Sequence, residues 1–426
     1  MKATFSVLLA LFASGFVSAP SATAQDRVLP PPAKEIPADL KSALETELVK
    51  VTTDFQTVKE HERAADADIF LKAVRYALEF GEWYDKKPED GVKKAKEQLA
   101  EAARRIEGLK KDETPWLDGP GSKVLGFYSQ IDDSPQPYGV EVPEGLAWGR
   151  GKKAVPLWIW LHGRGDTATD IHFIASRMKS KGGEFKPKDA IVVHPFGRFC
   201  NGYKSAGETD VLECRTEVLH RFNGDPNRVA MMGFSMGGAG AWHMGAHFAD
   251  QWAVVHAGAG FADVQRYLNR VPGKKPAGFS APWYEKTLWG VYDVPDYARN
   301  FFNVPLIAYS GENDAQRDTA EYMAEVLAGQ GYQLQHLIGP GMGHKYFPET
   351  RDQVASIVEK AVSAGRNPLP DKLVLQYRST RYARMYWLQV VEMLSDGSPI
   401  LIVQNEKQDR TRDINLSGLR ARFGNL

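Results

Sequence analysis

A serine between glycines is the residue of this chain with the clearest chemical signature. Ser235 lies in the sequence G-F-S-M-G-G at 233–238, after the apolar run 229–232 and before the helical pattern 239–248. In a G-x-S-x-G nucleophile elbow, a strand turns sharply into a helix and presents the serine above the sheet. Small residues around the turn let the strand and the helix approach closely. The pattern therefore predicts Ser235 as a nucleophile.

A serine hydroxyl needs a histidine base and a carboxylate that orients it. After a nucleophile elbow, these partners follow in the order acid, then histidine. The strand-like run 304–309 leads into an acidic turn with Glu312 and Asp314, and a later run leads into a glycine-rich loop ending at His344. Both positions follow strands, where open α/β sheets carry their sites. We predict His344 as the base and Asp314 as its orienting acid, with Glu312 and Asp318 as rival acids.

An acyl-transfer site also needs backbone donors directed at the developing oxyanion. The residue after the nucleophile, Met236, offers one N–H group. The second should come from the loop after the strand-like run 155–161, which reads H-G-R-G-D at 162–166. A glycine beside the hole lets the backbone turn so that the next N–H points inward. We predict the N–H of Arg164 as the second donor; an ordinary glycine-rich turn is the alternative.

Together, L-H-G at 161–163, the elbow, Asp314 and the G-H pair ending at His344 resemble the α/β-hydrolase superfamily. Within it, the chain is similar to secreted bacterial esterases and to catalytic domains of prolyl-oligopeptidase-like proteins, over roughly residues 119–365. The resemblance implies that Ser235 is the nucleophile, that His344 is the general base and acid, that Asp314 is the orienter, and that no cofactor is needed. True prolyl oligopeptidases add a β-propeller, but the roughly 95 residues preceding this domain are helical and too few for one. In those peptidases the propeller controls substrate access, and its absence here counts against a peptidase function.

The surrounding elements fit this resemblance. Strand-like runs alternate with helical patterns, which predicts a parallel sheet with helices on both faces. The expected fold is an α/β-hydrolase fold with a mostly parallel central sheet, an N-terminal helical domain and a small C-terminal β module. The strand-like runs lie at 155–161, 190–194, 228–233, 252–257, 304–309 and 334–338.

Composition changes along the chain predict its boundaries. Residues 1–24 have a basic start, a short apolar run and an A-x-A site, which is typical of a signal peptide and predicts a periplasmic or extracellular protein; a retained anchor is the alternative. A proline-rich linker at 25–37 precedes a helical domain at 38–118. The catalytic domain spans 119–365, with a lid-like insertion at 261–303, and a β-rich appendage follows at 366–426.

The lid-like insertion is rich in aromatic residues, including Trp283, Tyr284, Trp289 and Tyr292. Such side chains beside a hydrolase site could stack on sugar rings or on aromatic acyl groups. They could equally form the core of a lid. We predict these four as candidate substrate-binding residues.

Several other functions are disfavoured. The 53 basic residues balance the 53 acidic ones, so there is no electrostatic footprint for nucleic acid, and no stretch after the signal peptide is apolar enough to span a membrane. Two cysteines exclude a four-cysteine zinc site, while a Cys200–Cys214 bridge stays open. His243 and His247 lie four residues apart, but Met244 replaces the glutamate of H-E-x-x-H, so we predict no metal there. The sequence does not indicate an oligomeric state.

These observations predict an exported serine hydrolase that cleaves carboxylic esters through an acyl-enzyme. The expected partner is a small-molecule or polysaccharide ester, with acetyl and feruloyl groups on polysaccharide as candidate substrates. One alternative is a serine peptidase of the prolyl-oligopeptidase-like type. Another is a non-catalytic binding protein that has kept the fold.

Overall fold

The computed structural model describes residues 30–270 and 278–393, with the strand segments 400–404, 413–416 and 419–423. The expected signal peptide at 1–24 lies outside the described residues. The helices are α1 (Ala38–Phe55), α2 (Ala65–Phe80), α3 (Pro88–Leu109), α4 (Asp170–Met178), α5 (Ala206–Arg221), α6 (Met236–His247), α7 (Val264–Arg270), α8 (Trp283–Trp289), α9 (Arg317–Ala328) and α10 (Pro348–Ala364). The strands are β1 (Gly121–Tyr128), β2 (Pro135–Val142), β3 (Val155–Leu161), β4 (Ile191–Pro195), β5 (Gly224–Phe234), β6 (Val254–Gly258), β7 (Leu306–Gly311), β8 (Gln335–Gly339), β9 (Lys372–Gln376), β10 (Arg384–Met385), β11 (Leu388–Met393), β12 (Ile400–Gln404), β13 (Asp413–Leu416) and β14 (Leu419–Phe423).

A single large sheet organises the molecule. Its strand order is β1-β2-β4-β3-β5-β6-β7-β8. Strands β1 and β2 pair antiparallel, β2 pairs antiparallel with β4, and the remaining pairs are parallel. Apolar side chains of α10 pack on one face of the sheet, and α6 packs within the larger core on the other. This is the α/β-hydrolase fold that the sequence predicted.

The six strand-like runs of the sequence correspond to β3 through β8. The ends of most of these strands differ from the predicted ends by a few residues. The antiparallel pair β1 and β2 is the part of the sheet that the strand pattern missed. Two prolines at 135 and 137 and glycines at 126 and 139 interrupt its apolar alternation. Proline and glycine are disfavoured inside strands, so these residues hid the pair.

The N-terminal helices α1, α2 and α3 pack on one another, and α2 also packs on β1, β2 and α4. The helices and the sheet share one continuous apolar core. Gly126 of β1 is needed for this contact, because a Cβ there would overlap the carbonyl of Ala65 in α2. The N-terminal helices are therefore anchored to the antiparallel end of the sheet.

The insertion between β6 and β7 contains α7, α8 and a 3₁₀ helix at Val294–Asn303, while residues 271–277 lie outside the described part. Asn300 links it to the rest of the molecule: its amide donates to the carbonyls of Ala246 in α6 and Gln376 in β9, each at 2.8 Å. After α10, β9 pairs with β12, and β10, β11, β14 and β13 form a second small sheet. Within the described residues, no helix has the length and apolar character needed to cross a membrane.

Candidate active site

Ser235 occupies the sharp turn between β5 and α6. Its backbone angles are φ 60° and ψ −121°, a left-handed conformation that a serine adopts only under strain. Its N–H donates to the carbonyl of Gly258 in β6 at 2.9 Å, which holds the turn against the neighbouring strand. Gly237 leaves room for the close approach, because a Cβ there would overlap the carbonyl of Leu161 in β3. The elbow is thus built as the glycine spacing predicted.

The loops after β7 and β8 bring the other two predicted residues to this serine. His344 Nε2 lies 2.8 Å from Ser235 Oγ, and His344 Nδ1 lies 2.8 Å from Asp314 Oδ2. The Asp314 carboxyl is buried and also accepts the N–H of Gln316 at 2.9 Å, which fixes its orientation. The imidazole can therefore take the hydroxyl proton at Nε2 while its Nδ1–H donates to the carboxylate.

The two rival acids have other partners. Glu312 accepts the N–H of Gly341 at 2.7 Å, which places it at the base of the His344 loop. Asp318 lies in α9 and pairs with Arg266 of the insertion at 3.2 Å. Of the three acids that the sequence left in competition, Asp314 is the one whose carboxylate meets the imidazole.

The loop after β3 borders the nucleophile. A Cβ on Gly163 would lie 3.6 Å from Ser235 Cβ, so the backbone of this loop passes beside the serine. His162 fixes the loop, since its ring nitrogens lie 2.8 Å from the Gly163 carbonyl and 3.0 Å from the Phe196 carbonyl. Burial lowers the pKa of His162. Met236 starts α6 directly after Ser235, where a helix presents unpaired N–H groups and a positive dipole end.

Arg164 follows Gly163, and its guanidinium donates to Asp166 at 2.5 Å rather than turning toward the serine. The role predicted for Arg164 concerns its backbone N–H rather than its side chain. The oxyanion donors Met236 and Arg164 stay predictions.

Aromatic side chains that sequence reasoning missed support the histidine loop. The hydroxyl of Tyr309 in β7 donates to the Lys345 carbonyl at 2.9 Å and accepts the N–H of Phe347 at 2.8 Å. Phe234, beside the nucleophile, places its ring 4.9 Å from the His344 ring. Tyr309 thus forms hydrogen bonds with the backbone of the residues that follow His344. No local motif marks it, because the contact joins residues nearly forty positions apart.

The aromatic residues of the insertion separate into two environments. Trp283 and Tyr284 are exposed on α8, and Trp289 is half-buried. Tyr292 instead turns inward: its hydroxyl accepts the N–H of Ser205 at 2.6 Å, and its ring lies 5.3 Å from that of His243. Tyr292 is therefore part of an interior aromatic cluster, whereas Trp283 and Tyr284 face the surroundings of the protein.

A cavity of about 980 Å³ opens beside the loop after β3. Trp160, Gly163 and Phe185 line its wall, and the charged side chains that line it are of both signs, including Arg177 and Glu359. Gly163 borders both this cavity and Ser235, but Ser235 is not among the described residues that line the cavity.

The two cysteines lie apart. Cys200 Sγ contacts Met236 Sδ at 3.6 Å, next to the nucleophile, whereas Cys214 is fully buried in α5. They are not joined by a disulfide.

The histidine pair of α6 meets an acid from another helix. Glu208, in the first turn of α5, lies 3.2 Å from Nδ1 of His247 and 3.9 Å from Nδ1 of His243. Burial lowers the pKa of His243 to about 3, so its ring is neutral. The H-E-x-x-H motif specifies only a glutamate between the two histidines, so it gives no sign of Glu208 on another helix.

Residues 199–361 match the profile of the prolyl oligopeptidase family. Among solved structures, an acylaminoacyl peptidase in complex with Z-Gly-Gly-Phe-chloromethyl ketone is 15% identical at a TM-score of 0.42, covering 58% of this chain and 42% of that one. A ferulic acid esterase is 19% identical at a TM-score of 0.41, covering 57% of this chain and 100% of that one. An S-formylglutathione hydrolase from Agrobacterium tumefaciens is 16% identical at a TM-score of 0.43, covering 57% of this chain and 94% of that one. No curated protein matches the chain.

The sheet, the serine elbow and the family match define a serine hydrolase of the α/β-hydrolase superfamily. The chain spans 42% of the length of the acylaminoacyl peptidase that it matches.

Proposed function

We propose that this serine hydrolase is exported and cleaves carboxylic esters through an acyl-enzyme on Ser235. His344 Nε2 accepts the hydroxyl proton as Ser235 Oγ bonds to the ester carbonyl carbon, and the oxyanion is held by the N–H groups of Met236 and Arg164. The alcohol departs with the proton from His344. Water then attacks the acyl carbonyl carbon as His344 takes one of its protons. The bond to Ser235 Oγ breaks, His344 returns the proton to Oγ, and the acid is released.

The observation that carries this proposal is the hydrogen-bonded chain Ser235–His344–Asp314. Both of its contacts are 2.8 Å, within the range for a base that accepts a proton directly. An acid held on the far ring nitrogen favours the tautomer with a free lone pair at Nε2. A binding protein with no catalytic role would not need this alignment.

The openness of the site supports an ester that projects from a large molecule. The His344 side chain is 41% exposed, so a bulky substrate can reach the imidazole. The N-terminal helices occupy the position in the chain where prolyl oligopeptidases place a propeller, and they pack on β1, β2 and α4. The exposed rings of Trp283 and Tyr284 offer apolar faces of the kind on which sugars stack. Acetyl or feruloyl esters of polysaccharide are therefore the proposed substrates.

A serine peptidase is the second candidate, and the match of residues 199–361 to the prolyl oligopeptidase family favours it. The same three residues would cleave an amide, with His344 protonating the leaving amine instead of an alcohol. Esterase and peptidase differ in how the leaving group is bound, and the fold does not determine that choice.

Matched substrates distinguish the two. Purified protein would be given an acetyl ester and an aminoacyl anilide with the same chromophore, followed by acetylated and feruloylated xylan. We expect faster ester cleavage and a loss of at least about 10³-fold in kcat for Ser235→Ala. A higher kcat/KM on the anilide would replace the esterase proposal with the peptidase. Turnover that survives Ser235→Ala would reject Ser235 as nucleophile.

Export has its own test. The N-terminal residue of protein recovered from the periplasm or the medium should be Gln25, the residue after the A-x-A site. Recovery from the cytosol with an intact N-terminus would contradict export and leave the chemistry untouched.

A further inference from the structure

Three buried side chains converge beneath the insertion, away from the Ser235 hydroxyl. Glu208 comes from α5, and His243 and His247 come from successive turns of α6. Each side chain offers one donor atom, and these three atoms lie within 4.8 Å of one another. The residues are 0%, 2% and 1% exposed, respectively. Within the described residues, this is the one group of three potential metal-binding side chains so arranged.

The hydrogen bonds of His243 leave one nitrogen unmatched. Its Nε2 lies 3.1 Å from the Gly202 carbonyl, which can only accept, so the ring proton must be on Nε2. Nδ1 then carries a lone pair, and it has no hydrogen-bond partner among the described residues. It faces a Glu208 carboxylate oxygen at 3.9 Å. Two electron-rich atoms thus point at each other in a buried space, an arrangement that a cation between them would stabilise.

The contacts of Glu208 orient it toward both rings. Arg381 Nε donates to Glu208 Oε1 at 2.8 Å, and the Tyr382 hydroxyl lies 3.2 Å from Oε1 and 3.1 Å from Oε2. Oε2 is the oxygen that faces the histidines, at 3.2 Å from His247 Nδ1. The Tyr382 ring stacks on the His247 ring at 3.7 Å and fixes its plane. Outer contacts of this kind hold ligand side chains in place around metal ions.

We propose that His243 Nδ1, His247 Nδ1 and Glu208 Oε2 bind a divalent transition metal ion, with Zn²⁺ as the best fit. Imidazole and carboxylate donors suit Zn²⁺ at bond lengths of about 2.0–2.2 Å, which places tetrahedral donors about 3.3–3.5 Å apart. The two distances from Glu208 Oε2, 3.2 and 3.9 Å, bracket that separation. The three donor atoms already lie within 4.8 Å of one another, so side-chain adjustment would complete three positions, and a water molecule would supply the fourth.

The charge of the site tolerates such an ion. The carboxylate of Glu208 would neutralise one of the two positive charges of the metal ion. Arg381 adds a positive charge at the outer oxygen, but its side chain is 49% exposed, so water screens it. The His243 and Gly202 contact already has the geometry of a metal-bound imidazole that donates its second N–H to a carbonyl.

The proposed role is structural. The ion would join α5 to α6, the helix that begins directly after Ser235, and its outer contacts would tie in the segment that carries Arg381 and Tyr382. This differs from the sequence expectation of no metal, because the third ligand lies 35 residues before His243 on another helix. It does not depend on which substrate the enzyme cleaves.

Metal binding can be measured without activity. The mature chain, purified without a histidine tag, would be stripped with a chelator, dialysed against Zn²⁺ and analysed by plasma mass spectrometry. We expect about one Zn²⁺ per chain, a higher melting temperature with Zn²⁺, and X-ray absorption showing two imidazoles near 2.0 Å. The variants His243→Gln and His247→Gln should lose the ion and the melting shift.

The matched control is His194→Gln. His194 is also buried and lies 3.0 Å from a carboxylate, that of Glu141, but it has no second imidazole to form a site among the described residues. This variant should retain the ion. A wild-type chain with less than about 0.1 Zn²⁺, or a stoichiometry that both α6 variants preserve, would overturn the proposal. If those variants do not fold, the Zn²⁺ content and the X-ray absorption spectrum of the wild-type protein are sufficient to support or overturn the proposal.

Discussion

Asp66 and Arg221 lie 155 residues apart in the sequence, and their side chains meet in a fully buried ion pair at 2.7 Å. Asp66 belongs to α2 and Arg221 ends α5. The same Asp66 carboxyl accepts the N–H of Gly126 in β1 at 2.9 Å and the indole N–H of Trp116 at 3.0 Å. One carboxylate therefore connects the N-terminal helices, the antiparallel end of the sheet and a helix of the catalytic domain.

Asp66→Asn should destabilise the whole molecule. It removes one of the two carboxylates that pair with the buried Arg221. Glu217 stays 2.7 Å from Arg221 Nε, so we expect a loss below the cost of a fully unpaired buried charge, which is about 3–5 kcal/mol. Urea unfolding at pH 7 measures the loss. The control is Glu45→Gln, which breaks the exposed Lys41–Glu45 pair and should cost less than about 1 kcal/mol. Equal, small losses for the two variants would contradict the importance assigned to the buried pair.

The same pair predicts how stability depends on pH. Burial raises the pKa of Asp66, but the charges of Arg221 and Arg105 together lower it by more. The net shift of the pKa is therefore downward. A carboxyl with a lowered folded-state pKa stabilises the protein above its unfolded pKa of about 4, and this contribution disappears as the pH falls through the folded value. Asp66→Asn should therefore differ from wild type most at neutral pH and least in acid. A difference that grows as the pH falls would reject this assignment.

Asp314→Asn tests which acid orients His344. The amide keeps the shape but favours the wrong imidazole tautomer, so kcat should fall by about 10³–10⁴-fold. Glu312→Gln and Asp318→Asn are the matched controls, because both carboxylates bind elsewhere, and they should retain most of the activity. Ester hydrolysis under saturating substrate gives the comparison. A larger loss in either control than in Asp314→Asn would transfer the role to that acid.

The arrangement of the triad was predictable because chain order and strand ends determine it. Ser235 follows β5, Asp314 follows β7 and His344 follows β8, and all these strands are parallel, so their carboxyl ends share one edge. The contacts that support the triad could not be predicted in this way. Tyr309 reaches backbone groups nearly forty positions further along the chain, and no spacing rule connects such residues.

The antiparallel pair β1 and β2 was missed for a related reason. Its prolines and glycines weaken the local strand signal, and the sheet accepts them because of packing that the sequence does not display. Gly126, for example, is where the backbone of α2 passes directly over β1. Tertiary packing overrides strand propensity at such positions.

Tyr309→Phe should slow the reaction by displacing the histidine loop. The change removes one hydrogen bond to the Lys345 carbonyl and one from the Phe347 N–H, and each contributes about 0.5–1.5 kcal/mol. We expect kcat to fall by about tenfold with KM nearly unchanged, because a positioning residue affects the imidazole rather than the bound substrate. The control is Tyr332→Phe, at a half-buried position after α9, which should behave as wild type. A rise in KM with kcat intact would contradict the positioning role.

Gly237→Ala should disable the elbow. A Cβ at this position overlaps the Leu161 carbonyl, so β3 and α6 would have to separate and Ser235 would lose its alignment with His344. Overpacking of this kind costs about 1–3 kcal/mol, and labelling of Ser235 by a fluorophosphonate should slow by at least about tenfold. Gly329→Ala is the control: its Cβ would lie 3.5 Å from the Val326 carbonyl, an ordinary contact, and should change neither quantity. Full labelling of Gly237→Ala at the wild-type rate would show that the elbow tolerates a wider turn than this geometry allows.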